Sequence, residues 1–272
     1  MAQVARPKSW ATHDVEPYVI GRHLRRLENK IGFRLSFMAI LIGSWGPDLM
    51  TKWLVYGIKI GPWDVQADNP AKFHRSWPGV GFTHSLLFGV VIALIFYTVA
   101  RKKSWAKSWA VGIMIGIWAH VLSDTLDTNG VMLFFPLSLN RFHLDVWAYA
   151  GEKGRFQDAI AYFSSFGFVW DGFWIAMVLI NYKVLKADYF RANVVTDPLW
   201  GWIGRWVPEH GLLAIYRGAF FFGVCRWTTW LIWVHVTHHN SFDLTLGGPS
   251  WVGPFMTLIM VGGGGCPCGL PH

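Results

Sequence analysis

The sequence predicts an all-α, polytopic membrane protein with about five transmembrane helices and a shorter sixth apolar segment, and three observations carry that prediction. Of its 272 residues 53% are hydrophobic and only 15% charged. Soluble domains carry about 25% charge, so too little is available here to clothe a water-facing surface. Mean hydropathy is +0.32. Eighteen Trp and twenty Phe point to the same class, because amphipathic aromatic rings gather at the two membrane interfaces. A soluble enzyme and a disordered chain are both excluded. The net charge of +8 does not indicate nucleic acid as a partner, since the Lys and Arg residues are scattered between apolar segments.

Residues 1–30 open polar and contain Arg22, Arg25, Arg26 and Lys30 with no apolar core before a small-residue cleavage site. They read as a basic amphipathic arm on the membrane surface, not a cleavable signal peptide. A bilayer core takes roughly 20 apolar residues per helix, and segments 31–46, 82–100, 109–122, 159–180 and 212–236 come near that length. Segment 251–261 is a sixth, too short to span before the glycines at 262–265 end it. The transmembrane domain is therefore 31–261, followed by a Gly/Cys-rich tail, 262–272. Arg101, Lys102, Lys103, Lys107, Lys183, Lys186, Arg191 and Arg205 fall on the same side as the N-terminal arginines, and the opposite connections are poorer in basic residues. The positive-inside rule then makes the N-terminus cytoplasmic.

With that topology the unusual polar residues collect at the non-cytoplasmic ends of the spans. Asp48 ends the first, His74, Arg75 and His84 lead into the second, and His120, Asp124 and Asp127 end the third. His120 and Asp124 stand at i, i+4 with Asp127 at i+7, which sets all three on one helical stripe. An imidazole beside a carboxylate suits Zn²⁺, Mn²⁺ or Fe; a His–Asp hydrogen bond capping the helix end fits the spacing equally. Thr83 reads as the N-cap of the second span, and Arg75 as a guanidinium suited to phosphate. His235, His238 and His239 offer either a second metal position or a wet helix end. Cys266, Cys268 and His272 suit a soft metal or a flexible tail, and Cys225 lies in an apolar run, so no disulfide framework is expected. Asp171 in the fourth span and Arg217 and Arg226 in the fifth read as an interhelical ion pair. There is no phosphate loop, nucleophile elbow, dinucleotide fingerprint or haem-attachment motif.

Pro47-Asp48, His74-Arg75, Thr83-His84-Ser85-Leu86-Leu87, then His120-x-x-x-Asp124 running into Asn129-Gly130-Val131 and Phe135-Pro136-Leu137-Ser138 follow one another in an order that resembles the LexA-regulated inner-membrane metal-dependent hydrolases, the YdjM-like family. The resemblance covers about residues 31–140. It implies a bacterial inner-membrane location and Asp48, His74, His84, His120 and Asp124 as ligands of a divalent metal, zinc first. The same chemistry makes Asp127 and Arg75 the catalytic residues, with Asp127 orienting a metal-bound water. The sequence departs from the family pattern in three places: Met50 replaces the second Asp of Pro-Asp-x-Asp, residues 77–81 lengthen the second motif, and Asp127 stands where the family usually has Thr.

Two functions follow. One is a membrane-embedded metal-dependent hydrolase of a phosphoester or lipid, with its site on the non-cytoplasmic face. The other is a non-catalytic subunit of a larger respiratory or photosynthetic membrane complex that keeps the hydrolase-like fold, with Trp-rich faces against lipids and partner subunits. A transporter is disfavoured, as no repeated pair of broken helices is found.

Overall fold

The computed structural model describes residues 11–56, 58–60, 63–65, 70–147 and 160–237. Three helices come first, α1 (Thr12–His23), α2 (Arg25–Ile31) and α3 (Phe37–Tyr56). A short antiparallel hairpin of β1 (Ile58–Ile60) and β2 (Trp63–Val65) is the one departure from an all-α chain among the described residues. α4 (Pro70–Arg75) and a 3-10 turn at Gly81–His84 lead into α5 (Leu86–Ala100), and a basic turn leads on to α6 (Ala106–Asp124). The second half comprises α7 (Gly167–Ile180), α8 (Ala187–Asn193), α9 (Pro198–Ile203) and the long α10 (Glu209–Thr237).

Polarity in this bundle is inverted relative to a soluble protein. Leu94, Ile95 and Val99 on α5, Ile180 on α7 and Phe222 on α10 are exposed, while Glu16, Asp48, Arg75 and Asp171 are buried. Among the described residues α6 is the one helix long and apolar enough to cross a membrane, and α5 and α7 are shorter apolar helices.

The closest helix pair is α3 and α6, which run parallel. A Cβ on Gly116 would stand 2.1 Å from the Ile40 carbonyl oxygen, and one on Gly43 2.3 Å from that of Ile113. Only glycine lets the two backbones approach this far, the small-residue contact by which helices pack where lipid supplies no hydrophobic drive. The helix expected over 31–46 thus begins at Phe37 and runs on through Pro47 and Asp48 to Tyr56.

The expected surface arm is corrected by the structure. Thr12 through Val19 are all buried, and α1 lies inside the bundle, packed on α3, α7 and α10. It runs antiparallel to α3: Trp45 Nε1 donates to Asp14 at 3.0 Å, Ser44 Oγ to Glu16 at 2.6 Å, and the Tyr18 ring lies 4.8 Å from that of Phe37. Its sequence shows why: Val15, Tyr18 and Val19 enter an aromatic core with Phe37, Tyr216 and Phe220, and its basic residues are held back to the far end. The start of α1 is therefore at the end of the bundle where α3 carries Asp48, and Arg22 is at the opposite end.

Asp171 and Arg226 grip α1. The Asp171 carboxylate accepts from Thr12 N (2.7 Å), Thr12 Oγ1 (2.6 Å) and Ala11 N (3.2 Å), supplying the N-terminal acceptors that α1 lacks on its own cap. Arg226 Nη2 meets Asp14 at 2.6 Å. Arg217 donates instead to the Leu185 carbonyl at 2.7 Å. Asp171 and Arg226 thus serve as two clamps on the first helix while the Arg226 charge also acts on Asp171, and Arg217 takes no part in the expected pair.

Candidate metal centre

α6 sets His120 and Asp124 one turn apart, with Nε2 and Oδ2 3.1 Å from each other. α3 brings Asp48 alongside, its Oδ1 3.9 Å from His120 Nε2. α4 contributes His74, 3.3 Å from Asp48, and the 3-10 turn contributes His84, 3.8 Å from Asp48 and 3.7 Å from Asp124. The turn that lengthens this motif folds back on α4: Val80 N donates to Phe73 O at 2.8 Å, and a Cβ on Gly79 would lie 2.1 Å from that same oxygen. The extra residues therefore keep His74 and His84 facing each other, their rings 4.5 Å apart. All five expected ligands converge.

A sixth was missed by the sequence reading. His13 stacks on His120 with centroids 3.9 Å apart, and its Nε2 lies 3.9 Å from Asp124. Two neighbouring sets of potential ligands result, His13, His120 and Asp124, and Asp48, His74 and His84, with the ligand atoms of each set within 4.8 Å of one another.

Hydrogen bonding fixes the tautomers. His120 Nδ1 lies 2.7 Å from the Ser44 carbonyl oxygen, which can only accept, and His13 Nδ1 faces the Glu16 carboxylate at 3.3 Å. His74 Nδ1 meets Thr51 Oγ1 at 2.9 Å and His84 Nδ1 meets Thr83 Oγ1 at 3.0 Å. Each hydroxyl already donates its proton, to Pro47 O and Val80 O respectively, so it accepts from the ring. All four rings carry hydrogen on Nδ1, and no Nε2 has a hydrogen-bond partner among the described residues. Where they carry no proton, buried Nε2 atoms aimed at carboxylates repel them unless a cation lies between, and an anchored Nδ1–H behind a free Nε2 is the arrangement found behind metal-bound histidines. Burial also holds His74 well below the ordinary histidine range, keeping it neutral.

Arg75 faces the same pocket. Its Nη1 lies 2.5 Å from Asp124 Oδ2 and its Nη2 3.3 Å from Asp127 Oδ2. Asp127 is not on the α6 stripe, because the helix ends at Asp124. Its Oδ1 instead accepts from Asn129 N (2.9 Å) and Gly130 N (2.6 Å), and burial pushes its carboxyl up to about 6 against the pull of Arg75. Asp127 thus anchors the turn and the guanidinium. Thr83 is not the cap of α5 either; Ser85 is, accepting from Phe88 N at 3.1 Å. Met50 is 55% exposed, so the position of the absent second Asp faces away from the cluster. His235 Nδ1 donates to Leu231 O on its own helix at 2.6 Å. Residues 238, 239, 266, 268 and 272, and the segment 251–261, lie outside the described residues.

A buried His–carboxylate cluster at the end of an apolar helix bundle defines a class, membrane proteins with a potential metal centre. Comparison with known proteins is more specific: the family profile of the YdjM inner membrane protein matches residues 10–190, and the chain belongs to this inner-membrane family. It is also 34% identical over 71 residues to Uncharacterized protein YvsG of Bacillus subtilis (strain 168), a stretch covering 26% of this chain and 41% of that protein. The chain thus spans about two fifths of the length of the curated relative it matches. No solved structure matches.

Proposed function

We propose that the chain is a membrane-embedded hydrolase dependent on two divalent cations, zinc or else manganese or iron, acting on a phosphoester or lipid. The observation that carries this reading is the convergence of four Nε2 atoms without hydrogen-bond partners on Asp48 and Asp124 in a buried pocket. His13, His120 and Asp124 would hold one cation and Asp48, His74 and His84 the other; the donor set, imidazole plus carboxylate, suits these metals. Bound there, such ions lower the pKa of a water and polarise a phosphoryl oxygen. The chain's own residues set the stage: Ser44, Thr51, Thr83 and Glu16 orient the rings, and Arg75, fixed by Asp127, holds Asp124 and offers a guanidinium to a phosphoryl group.

The bundle is multi-pass in this reading. The end bearing Arg22, Arg34, the 101–107 turn and 182–205 is cytoplasmic by its basic residues, which leaves the centre near the opposite face. Because α1 starts beside the centre, its first turn belongs to the non-cytoplasmic side, reversing the orientation expected for the N-terminus.

Metal content of the purified protein tests the proposal. The wild type is expected to carry two equivalents, His13→Ala fewer, and His120→Ala/Asp124→Ala none; a folded wild type that neither retains nor takes up metal overturns it. One observation favours the non-catalytic subunit instead, namely that Arg75 already neutralises Asp124. Metal bound without any esterase or phosphoesterase turnover, together with copurifying membrane subunits, is the outcome that reading expects.

A further inference from the structure

The loop after α6 carries an apolar surface that the metal centre does not use. Phe134, Leu137, Leu139, Phe142 and Leu144 are all exposed, Leu137 to 94%, and the neighbouring Trp77 is exposed beside them. Their backbone is well tied down. Val131 and Phe142 exchange hydrogen bonds at 3.1 and 2.8 Å, Leu137 N and Ser138 N both donate to Phe134 O, and Leu144 N donates to Thr125 O at 2.7 Å. The rings of Trp77 and Phe135 lie 5.7 Å apart, those of Phe82 and Phe135 6.1 Å. The result is a firm wedge with its polar backbone satisfied inward and its large side chains turned out. In water such a patch is a liability.

Its position in the bundle supplies the reason. The wedge sits at the N-terminal end of α5, where Leu86 N donates to Leu133 O at 3.1 Å. α5 has 15 residues, about 22 Å at 1.5 Å per residue. The hydrocarbon core of a bilayer is about 30 Å thick, so α5 falls about 8 Å short. A short apolar helix is accommodated by thinning the bilayer, by snorkelling of flanking residues or by oligomerising, and an apolar segment at its end shortens the gap to be made up. The wedge adjoins the start of α5, whose own Leu87, Val91 and Leu94 are exposed, and Arg141, bonded to Asn129, gives it a cationic edge.

We infer that the loop spanning residues 134–144 is a membrane-inserted wedge, seated among phospholipid acyl chains at the non-cytoplasmic interface, where it completes the apolar belt that α5 leaves short. The occupant of this surface is lipid, since the chain belongs to an inner-membrane family and the wedge adjoins the start of an apolar helix whose large side chains are also exposed. The inference stands whether or not the centre binds metal.

Depth measurement on the full chain in phosphatidylcholine–phosphatidylglycerol nanodiscs tests it. A Leu137→Cys variant is labelled with an environment-sensitive fluorophore in a Cys225→Ser/Cys266→Ser/Cys268→Ser background. Since Leu137 is almost fully exposed, the substitution leaves the packing intact. Asp188→Cys on α8, whose side chain is 93% exposed, is the water-facing control. Expected is a blue-shifted emission at 137, at least fivefold less iodide quenching than at 188, and strong quenching by phospholipid nitroxides placed near the headgroup. Iodide quenching at 137 equal to that at 188 puts the loop in water and overturns the inference. Protection from both quenchers means that protein, such as a second copy, covers the wedge, and overturns it as well.

Discussion

Replacing Gly116 with alanine puts a methyl group 2.1 Å from the Ile40 carbonyl oxygen and 2.7 Å from Ser44 N. Carbon and oxygen relax to about 3.3 Å, so α3 and α6 must part by about 1.2 Å at this level. His120 Nδ1 lies 2.7 Å from Ser44 O across the same seam, and an equal displacement takes that contact to about 3.9 Å, beyond hydrogen-bonding range. Overpacking of this kind costs about 1–3 kcal/mol, and loss of the partner behind a metal-binding histidine lowers affinity 10- to 100-fold. Apo-protein in detergent, titrated with Zn²⁺ against a chelating dye, reads the second quantity directly. Gly218→Ala is the control, because a Cβ there meets nothing within 4 Å. Gly116→Ala is expected to remain helical and bind at least tenfold more weakly, while Gly218→Ala matches wild type. A Gly116→Ala protein with wild-type affinity would falsify the claim that the glycine seam positions His120.

Thr51→Val and Thr83→Val each remove the acceptor behind one imidazole, His74 and His84, and each is expected to weaken zinc binding 10- to 100-fold in the same titration. Asp171→Ala strands the backbone N–H groups of Ala11 and Thr12 in a buried site, a loss of about 1–3 kcal/mol that denaturant unfolding measures. Arg226→Ala leaves Asp14 as a buried carboxylate without its 2.6 Å guanidinium and is expected to cost more, about 3–5 kcal/mol. Chelation should lower the thermal midpoint of the wild type, since zinc at 100 times its Kd stabilises by about 2.7 kcal/mol; an unchanged midpoint would count against tight binding.

The helix-borne half of the centre was legible because its signal is local. His120 and Asp124 are one turn apart, and Asp48, His74 and His84 sit in short motifs whose order carries information even when each piece is weak. His13 was hidden by its company. The arginines between 22 and 26 dominate the N-terminal segment, and a basic arm is the simplest reading of them, yet His13 and Glu16 at i, i+3 beside the apolar positions 15, 18 and 19 mark a helix with a polar stripe inside a core. Asp127 failed for a different reason: i, i+7 spacing places a residue on a stripe only while the helix lasts, and α6 stops three residues earlier. Asp171 and Arg226 were recognised as buried charges, but spacing gives no view of which third element comes between them, and α1 is that element.

The grip of α7 and α10 on α1 also sets an order of events in the life of the chain. His13 leaves the ribosome before the other five residues of the candidate centre, whereas Asp171 and Arg226, which seat its helix, are made after all six exist. Synthesis proceeds from the N-terminus, so α1 has to wait beside a half-built bundle until α10 arrives. The candidate centre is therefore clamped in full only after residue 226 has been made, and a chain truncated before it lacks one clamp on the helix that brings His13 to the pocket.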